Sequence, residues 1–475
     1  MKILLIYPPS INKIQTPVPE AVNSVVGFYP PLGLLCVAGY VRAHSDFGVK
    51  VLDAQVERLD YDGIAEILAK ERPDVVGIQT MTHTLVDALK TAEVTKRIDS
   101  KCHVCLGGNH VEIYPLETIQ LPNVDSAVIG EGEIKFLKLC QALAADKSLE
   151  GIPGVIARNN GKIINNGPGI HIDNIDDLNF PARDLVPFKK YQGIMDAGKI
   201  ITTLISSRGC PNQCAFCSEV GTRFRWRNAK SIADEIEECQ SLGINVFFFF
   251  DDTFNAYPKH AVDVCQEIIN RKLKIEFDVR ARVNNINEEL LMALKAAGCR
   301  RIQFGVESGC QKVLRELKKN ITLEQVSQAF AMAKKYRFVT YADFMIGNPG
   351  EGREELMQTF AFAKEIDPDY VQYSVFTPYP NTALYRRGIK EGLFGDFWLE
   401  YAKNPTNNFM PRLWEEYFTK EELNYWISFA YKDFYLRPKY ILKSLFKIES
   451  FRDLLNKINA AIKLIFIKGL KNSKK

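Results

Sequence analysis

The clearest chemistry in this chain lies in one short stretch, Ser206–Ser207–Arg208–Gly209–Cys210–Pro211–Asn212–Gln213–Cys214–Ala215–Phe216–Cys217. Cysteines spaced C-x₃-C-x₂-C can fold three thiolates around one metal centre. A structural zinc site wants a fourth ligand close by. The nearest later ones, Cys239 and His260, fall in predicted helices away from the loop. Three thiolates suit a four-iron–four-sulfur (4Fe-4S) cluster with one iron left open to a substrate or cofactor, since such clusters are held by cysteine thiolates. Pro, Asn and Gln between the cysteines make a poor core segment.

Further polar residues fall where strand patterns end: Phe250–Asp251–Asp252–Thr253–Phe254, Phe304–Gly305–Val306–Glu307–Ser308–Gly309 and Ile346–Gly347–Asn348–Pro349–Gly350–Glu351. A carboxylate at a strand tip can accept hydrogen bonds from an ammonium or a ribose hydroxyl, and glycine lets backbone approach a ligand closely.

The elements that must position these residues alternate. Residues 1–148 hold short apolar runs at Lys2–Tyr7, Val49–Asp53, Val75–Gln79, Cys102–Leu106 and Ser126–Ile129, separated by amphipathic stretches. Buried parallel strands read as continuous apolar runs, so the segment is predicted to be a doubly wound α/β (Rossmann-like) sheet of five strands, with ligands at the strand carboxyl ends. Residues 149–199 read as a connector containing a β-hairpin, Val155–Arg158 and Lys162–Asn165. Over 200–393 the alternation restarts with six β/α units, which predicts a partial (β/α)₆ barrel. Residues 394–475 read as a helical, aromatic and basic C-terminal region.

Cys-x₃-Cys-x-aromatic-Cys after the first strand of a β/α barrel resembles the radical SAM superfamily. By that resemblance Cys210, Cys214 and Cys217 ligate the cluster, and S-adenosylmethionine binds the open iron with Phe216 beside its adenine. Reduction then cleaves it to a 5′-deoxyadenosyl radical. Glu307 and Ser308 are the leading S-adenosylmethionine contacts, followed by Asp251, Asp252, Arg280, Arg282 and Gly347. Tyr379–Pro380–Asn381–Thr382 resembles a family Pro-Gly-Thr turn in which Asn381 replaces the glycine.

A doubly wound domain before such a barrel resembles the cobalamin-binding subgroup. The residues matching it are Thr80 and Thr82 after the third strand, Gly107, Gly108 and His110 after the fourth, and Gly130 and Glu131 after the fifth. Pro181–Ala182–Arg183–Asp184–Leu185 resembles the subgroup's linker. Residues 7–43 contain no histidine, so the Asp-x-His-x-x-Gly motif that often ligates cobalt from below is missing, and the expected cobalamin has no lower histidine from this loop. Cys102 and Cys105 are three apart in a strand and point to opposite faces; they read as core thiols. The resemblance implies methylation, cyclisation or rearrangement at an unactivated carbon. The C-terminal aromatic stretch resembles members acting on tetrapyrroles or polycyclic lipids, hence an apolar small-molecule substrate. Two alternatives stand beside this: a methylthiotransferase acting on RNA or protein, and a non-catalytic cobalamin/SAM-binding sensor. An electron donor such as flavodoxin or ferredoxin is the expected partner.

Composition agrees with a folded enzyme: 46% apolar and 25% charged residues over 475 positions exclude a disordered chain or a small disulfide scaffold. Eleven cysteines behind an N-terminal apolar run too short for a signal peptide predict cytoplasmic thiols and metal ligands. Net charge is only +4, which disfavours nucleic acid, yet residues 437–475 hold eleven Lys/Arg against two acids, a local +9. Apolar residues recur there at helical spacing, a pattern that fits either a membrane-surface helix or a helix packed on the barrel.

Overall fold

The computed structural model describes residues 1–15, 28–159, 161–169, 171–193, 198–218, 222–446 and 462. In the N-terminal part, strands β1 (Lys2–Tyr7), β2 (Gly48–Asp53), β3 (Val75–Gln79), β4 (His103–Gly107) and β5 (Ser126–Val128) pair in parallel in the order β2-β1-β3-β4-β5. The sheet has seven strands where five were expected. The hairpin β6 (Val155–Asn159) and β7 (Lys162–Asn165) is not free-standing in the connector but pairs antiparallel against β5. Its first residues, Val155, Ile156 and Ala157, are fully buried by that pairing.

Helices α1 (Leu32–Ala43) and α4 (Glu133–Ala144) cover one face, and α2 (Tyr61–Glu71) and α3 (Leu85–Ile98) the other. Alternate residues of each strand feed the two layers, Ile3 and Leu5 on one side and Leu4 and Ile6 on the other. Cys102 and Cys105 divide the same way.

The second sheet runs β8 (Ile201–Leu204), β11 (Val246–Phe249), β12 (Glu276–Ala281), β13 (Cys299–Glu307), β14 (Val339–Ile346) and β15 (Tyr370–Val375), six parallel strands in chain order. A short ladder, β9 (Ser207–Arg208) with β10 (Arg225–Trp226), stands at the end of β8. Outward side chains pack under helices α5 (Ala229–Ser241), α6 (Pro258–Asn270), α7 (Glu288–Ala296), α8 (Leu323–Lys335) and α9 (Arg353–Ile366). The inward ones are half-open: β14 alternates without a break between half-buried residues, including Asp343, and buried ones.

Helix α10 (Lys420–Tyr435) closes the β15 edge. Tyr431 Oη lies 3.1 Å from the N–H and 2.9 Å from the C=O of Tyr373, and Tyr435 Oη does the same for Val371 at 2.8 and 2.7 Å. Two hydroxyls thereby satisfy backbone groups that an exposed edge would offer to another chain.

The linker joins the two sheets. The Arg183 side chain is 2% exposed; its guanidinium donates to Thr202 Oγ1 at 3.0 Å and Thr203 O at 2.6 Å, and pairs with Glu235 at 2.6 Å. One residue earlier, Ala182 N donates to Leu35 O of α1 at 3.0 Å. After the barrel the chain returns to the N-terminal domain, where Trp398, Tyr401 and Phe397 join its core.

Candidate functional site

The cysteine loop hangs between the two strands of the β9/β10 ladder. Gly209 starts it at φ +80°, and a Cβ there would sit 2.5 Å from Arg223 O, so only glycine fits. At its base, Asp251 accepts from Ser206 N at 3.1 Å, Ser206 Oγ at 2.7 Å and Ser207 Oγ. Burial raises the Asp251 carboxyl above the usual carboxylate range, while the Ser207 and Ser206 donors hold it down. All eleven cysteines are free, and Cys210 and Cys217 are the two that are not buried. By contrast, burial pushes Cys36, Cys102, Cys105, Cys239 and Cys265 up to about 12, the behaviour of inert core thiols.

Polar groups face the loop sulfurs, Asn212 and Arg282 as donors and the Thr253 hydroxyl, which itself donates to Asp252 O at 2.8 Å, as a neighbour. Asn212 Nδ2 lies 3.2 Å from Cys210 Sγ, Thr253 Oγ1 3.7 Å from the same sulfur, and Arg282 Nη1 3.4 Å from Cys214 Sγ. Among the described residues, no three His, Cys, Asp or Glu side chains converge on a single ion. Three free cysteines on one loop, two of them not buried, with Asn212 and Arg282 beside their sulfurs, are a donor set that fits a thiolate-held cluster with one open iron.

Phe216 and Glu307 come together through Lys319. Its ammonium lies 5.7 Å from the Phe216 ring centre and 2.6 Å from Glu307 Oε1. Arg282 also donates to the backbone carbonyl of Lys319. Glu307 adopts φ +72° where the β13 register shifts, and it is buried at the strand tip against Lys319. Arg280 is half-buried in the barrel, its guanidinium 4.6 Å from the Phe250 ring centre and 5.2 Å from that of Phe248. Asp252 is exposed beside it. Ser308 is wholly buried, bonded to Thr359 Oγ1 and Cys310 N. Gly347, at φ +74°, packs against Leu423 of α10. The structure thus gathers Cys214, Phe216, Glu307 and Arg282, and commits Ser308, Asp251 and Gly347 to internal bonds or packing. Asn381 takes φ +60°, the left-handed conformation that the missing glycine would supply.

Across the ladder, the carboxyl end of the first sheet opens into a cavity of about 1140 Å³. Strand-end residues Gln79, Gly107, Gly108, Gly130 and Glu131 line it. A slot runs down between the sheet and α1 past Leu5, Gly77, Cys105 and Val37. Gly77 makes the slot: a Cβ there would meet Leu5 Cδ2 at 2.6 Å and Phe136 Cζ at 3.2 Å. The second sheet contributes Thr203, Ile205, Arg208 and Phe250, and the C-terminal region Met410 and Leu413. The volume exceeds that of a drug-sized pocket. Two buried acceptors on its wall, Gln79 Oε1 and Glu133 Oε2, have no partner among the described residues. A large ligand rimmed with amide N–H groups, as a corrinoid is, fits that volume and those acceptors.

Thr80, Thr82 and His110 lie outside the cavity wall. Thr80 supports it, since Gly108 presses on its backbone, and Thr82 Oγ1 meets His110 Nδ1 at 3.1 Å in the interior. Burial lowers both His110 and His83 to about 4. Glu131 does line the cavity and also accepts from Arg208 at 2.9 Å and Arg225 at 2.9 Å. Burial pushes its carboxyl up, but the two guanidiniums prevail and bring it to about 2. The residues that sequence reasoning does not reach, Thr253 and Asn212 beside the Cys210 sulfur and Lys319 between Phe216 and Glu307, carry no motif of their own, although Thr253 and Asn212 lie within the strand-end and cysteine-loop segments.

Residues 204–363 match the Radical SAM superfamily, and residues 21–139 the B12 binding domain. A Pyrococcus horikoshii protein described as an uncharacterized methyltransferase is 36% identical over 95% of this chain and 96% of its own length. The anaerobic magnesium-protoporphyrin IX monomethyl ester cyclase of Rubrivivax gelatinosus is 29% identical, covering 76% of this chain and 67% of the cyclase. The fold is similar to that of a cobalamin-dependent S-adenosylmethionine radical enzyme solved with aqua-cobalamin and S-adenosylmethionine bound, with TM-score 0.74 and 18% identity over 98% of this chain and 72% of that one.

Proposed function

We propose that this chain, which belongs to the radical SAM superfamily and carries a B12 binding domain, methylates, cyclises or rearranges an apolar small molecule at an unactivated carbon. The observation that carries the reading is the meeting of the two strand ends: Arg208, two residues before Cys210, and Phe250, beside Arg280, both line the corrinoid-sized cavity. When bound, the 4Fe-4S cluster and S-adenosylmethionine supply a 5′-deoxyadenosyl radical, and cobalamin supplies a transferable methyl group.

The chain's own residues bind and orient. Cys210, Cys214 and Cys217 would hold the cluster, with Arg282 and Asn212 donating to their sulfurs and Thr253 beside that of Cys210. Phe216 and the Glu307–Lys319 pair receive S-adenosylmethionine, with Arg280 and Asp252 nearer the substrate side. Gln79, Gly107, Gly108, Gly130 and Glu131 line the corrinoid site, with Thr80 behind Gly108 and the Thr82–His110 pair set back from the wall. Electrons come from a small redox protein such as flavodoxin or ferredoxin.

Anaerobic reconstitution followed by absorption and electron paramagnetic resonance spectra tests both cofactors at once. With dithionite and S-adenosylmethionine, 5′-deoxyadenosine is expected. Its absence in cluster-loaded protein would leave only a binding role and sink the enzymatic one.

The setting proposed is cytoplasmic, with contact to a membrane surface through residues 437–475. Most of that segment, 447–461 and 463–475, lies outside the described residues. No helix among the described residues is long and apolar enough to cross a membrane. In α11 (Pro438–Leu445), Lys443 reaches Asp369 at 3.2 Å while Ile441, Leu442 and Leu445 are exposed, so the apolar side faces outward. Flotation with anionic liposomes, with and without residues 437–475, checks it; equal soluble fractions would end the idea.

A further inference from the structure

The ladder that closes the cysteine loop is held on the cavity wall by both of its arginines. Arg208 and Arg225 are ladder partners. Arg208 forks onto two carboxylates, Glu131 Oε1 at 2.9 Å and Glu133 Oε1 at 2.5 Å. Arg225 takes the other oxygen of Glu131 at 2.9 Å, and Ile172 N donates to that same oxygen at 2.8 Å. These groups are largely withdrawn from water, with side-chain exposures of 17% for Arg208, 13% for Glu131 and 5% for Glu133. A planar guanidinium can bridge two carboxylates in fixed geometry; a lysine ammonium, as a point charge, cannot.

Every acceptor of this cluster is used except one. Glu133 Oε2 is buried on the cavity wall with no partner among the described residues. A buried carboxylate oxygen left unpaired is costly, so the cavity's occupant is the natural donor.

We propose that Glu133 is a two-ended contact, Oε2 accepting an amide N–H of the bound corrinoid while Oε1 holds Arg208, so that Arg208 is a positioning residue registering the cysteine loop against the filled cavity. The proposal rests on the corrinoid reading of that cavity. It has a thermodynamic signature, because coupling between two sites is reciprocal. If the cavity's occupant orders the cysteine loop, an assembled cluster must in turn tighten the cavity's grip.

The test titrates hydroxocobalamin into full-length protein with and without reconstituted cluster, following visible absorbance. In the parent protein the cluster-loaded form binds more tightly, by about fivefold, the lower end of ordinary coupling between sites. In Arg208→Met, loaded and unloaded forms bind equally, while Arg208→Lys keeps part of the difference. Glu131→Gln, which leaves the guanidiniums in place but weakens the pairing, reduces the difference too. An unchanged ratio in Arg208→Met overturns the proposal, as does equal binding by both forms of the parent. If neither Arg208→Met nor Glu131→Gln assembles a cluster, the clamp is only scaffolding and the proposal falls. A parent protein that binds no hydroxocobalamin in either form would instead remove the corrinoid reading itself.

Discussion

At the carboxyl edge of the first sheet the chain withholds side chains; at the carboxyl edge of the second it supplies them. Gly77, Gly107, Gly108, Gly130 and Gly132 ring the cavity, and at Gly77 and Gly108 the neighbouring chain packs too closely for a Cβ. The corresponding edge of the barrel carries Asp251, Thr253, Arg280, Arg282 and Glu307, most of them bonded to a neighbour or a sulfur. The two edges share a topology and differ in what they must provide. A corrinoid brings its metal and most of its ligands with it and needs a shaped void. A cluster and S-adenosylmethionine need thiolates, donors and a carboxylate fixed in place.

Removing thiolates should separate the edges most sharply. Cys214→Ala is expected to abolish cluster absorbance and lower 5′-deoxyadenosine formation by about 10³-fold or more, while its hydroxocobalamin affinity falls only to that of the cluster-free parent, about fivefold. Cys239→Ala, a core thiol of α5, should keep its cluster. Filling the void is the converse. Gly77→Val places atoms against Leu5 and Phe136 and should weaken hydroxocobalamin binding by about 10²-fold, since overpacking costs about 1–3 kcal/mol. The electron paramagnetic resonance signal of its cluster should be unchanged.

A smaller effect is expected from Glu307→Gln. Weakening the charged bond to Lys319 should lower S-adenosylmethionine affinity about tenfold, as for loss of one charge-assisted hydrogen bond, measured by equilibrium dialysis on cluster-loaded protein.

The smallest concerns pH. Asp343, on the barrel's inner face, is raised to about 7, by burial first and then by Glu307, while Gln303, Arg280 and Lys319 oppose the rise. An unfolded aspartate titrates near about 3.9, so the folded state holds the proton more tightly. Stability from this group is therefore full below about pH 4 and lost as pH rises towards 7. Asp343→Asn should melt about 2–4 °C above the parent at pH 8 and nearly with it at pH 4, by scanning calorimetry.

Sequence periodicity carried most of the architecture. Apolar runs marked the strands of the first sheet to within a few residues, because burial on both faces leaves little alternation to confuse, whereas β13 and β14 were legible through β/α alternation despite their half-buried inward residues. The cysteine spacing was legible for a different reason, since its residues are local. What stayed hidden was non-local. Nothing near Lys319 indicates that it will bridge Phe216 and Glu307, and nothing in Asp251 tells whether a strand-tip carboxylate faces a ligand or, as here, the hydroxyls of Ser206 and Ser207. The hairpin was visible as a hairpin, but its pairing with β5 depends on an edge that only the assembled sheet presents.

The linker feature described above bears on the order of manufacture. All seven strands of the first sheet lie within residues 2–165, so the cavity's floor leaves the ribosome complete before Arg183 docks on β8 and before any cluster cysteine is made. Its roof, with Thr203, Phe250, Met410 and Leu413, arrives up to half the chain later. Until those residues are made, the cavity lacks that cover and is open to solvent on the side where a bulky cofactor would enter.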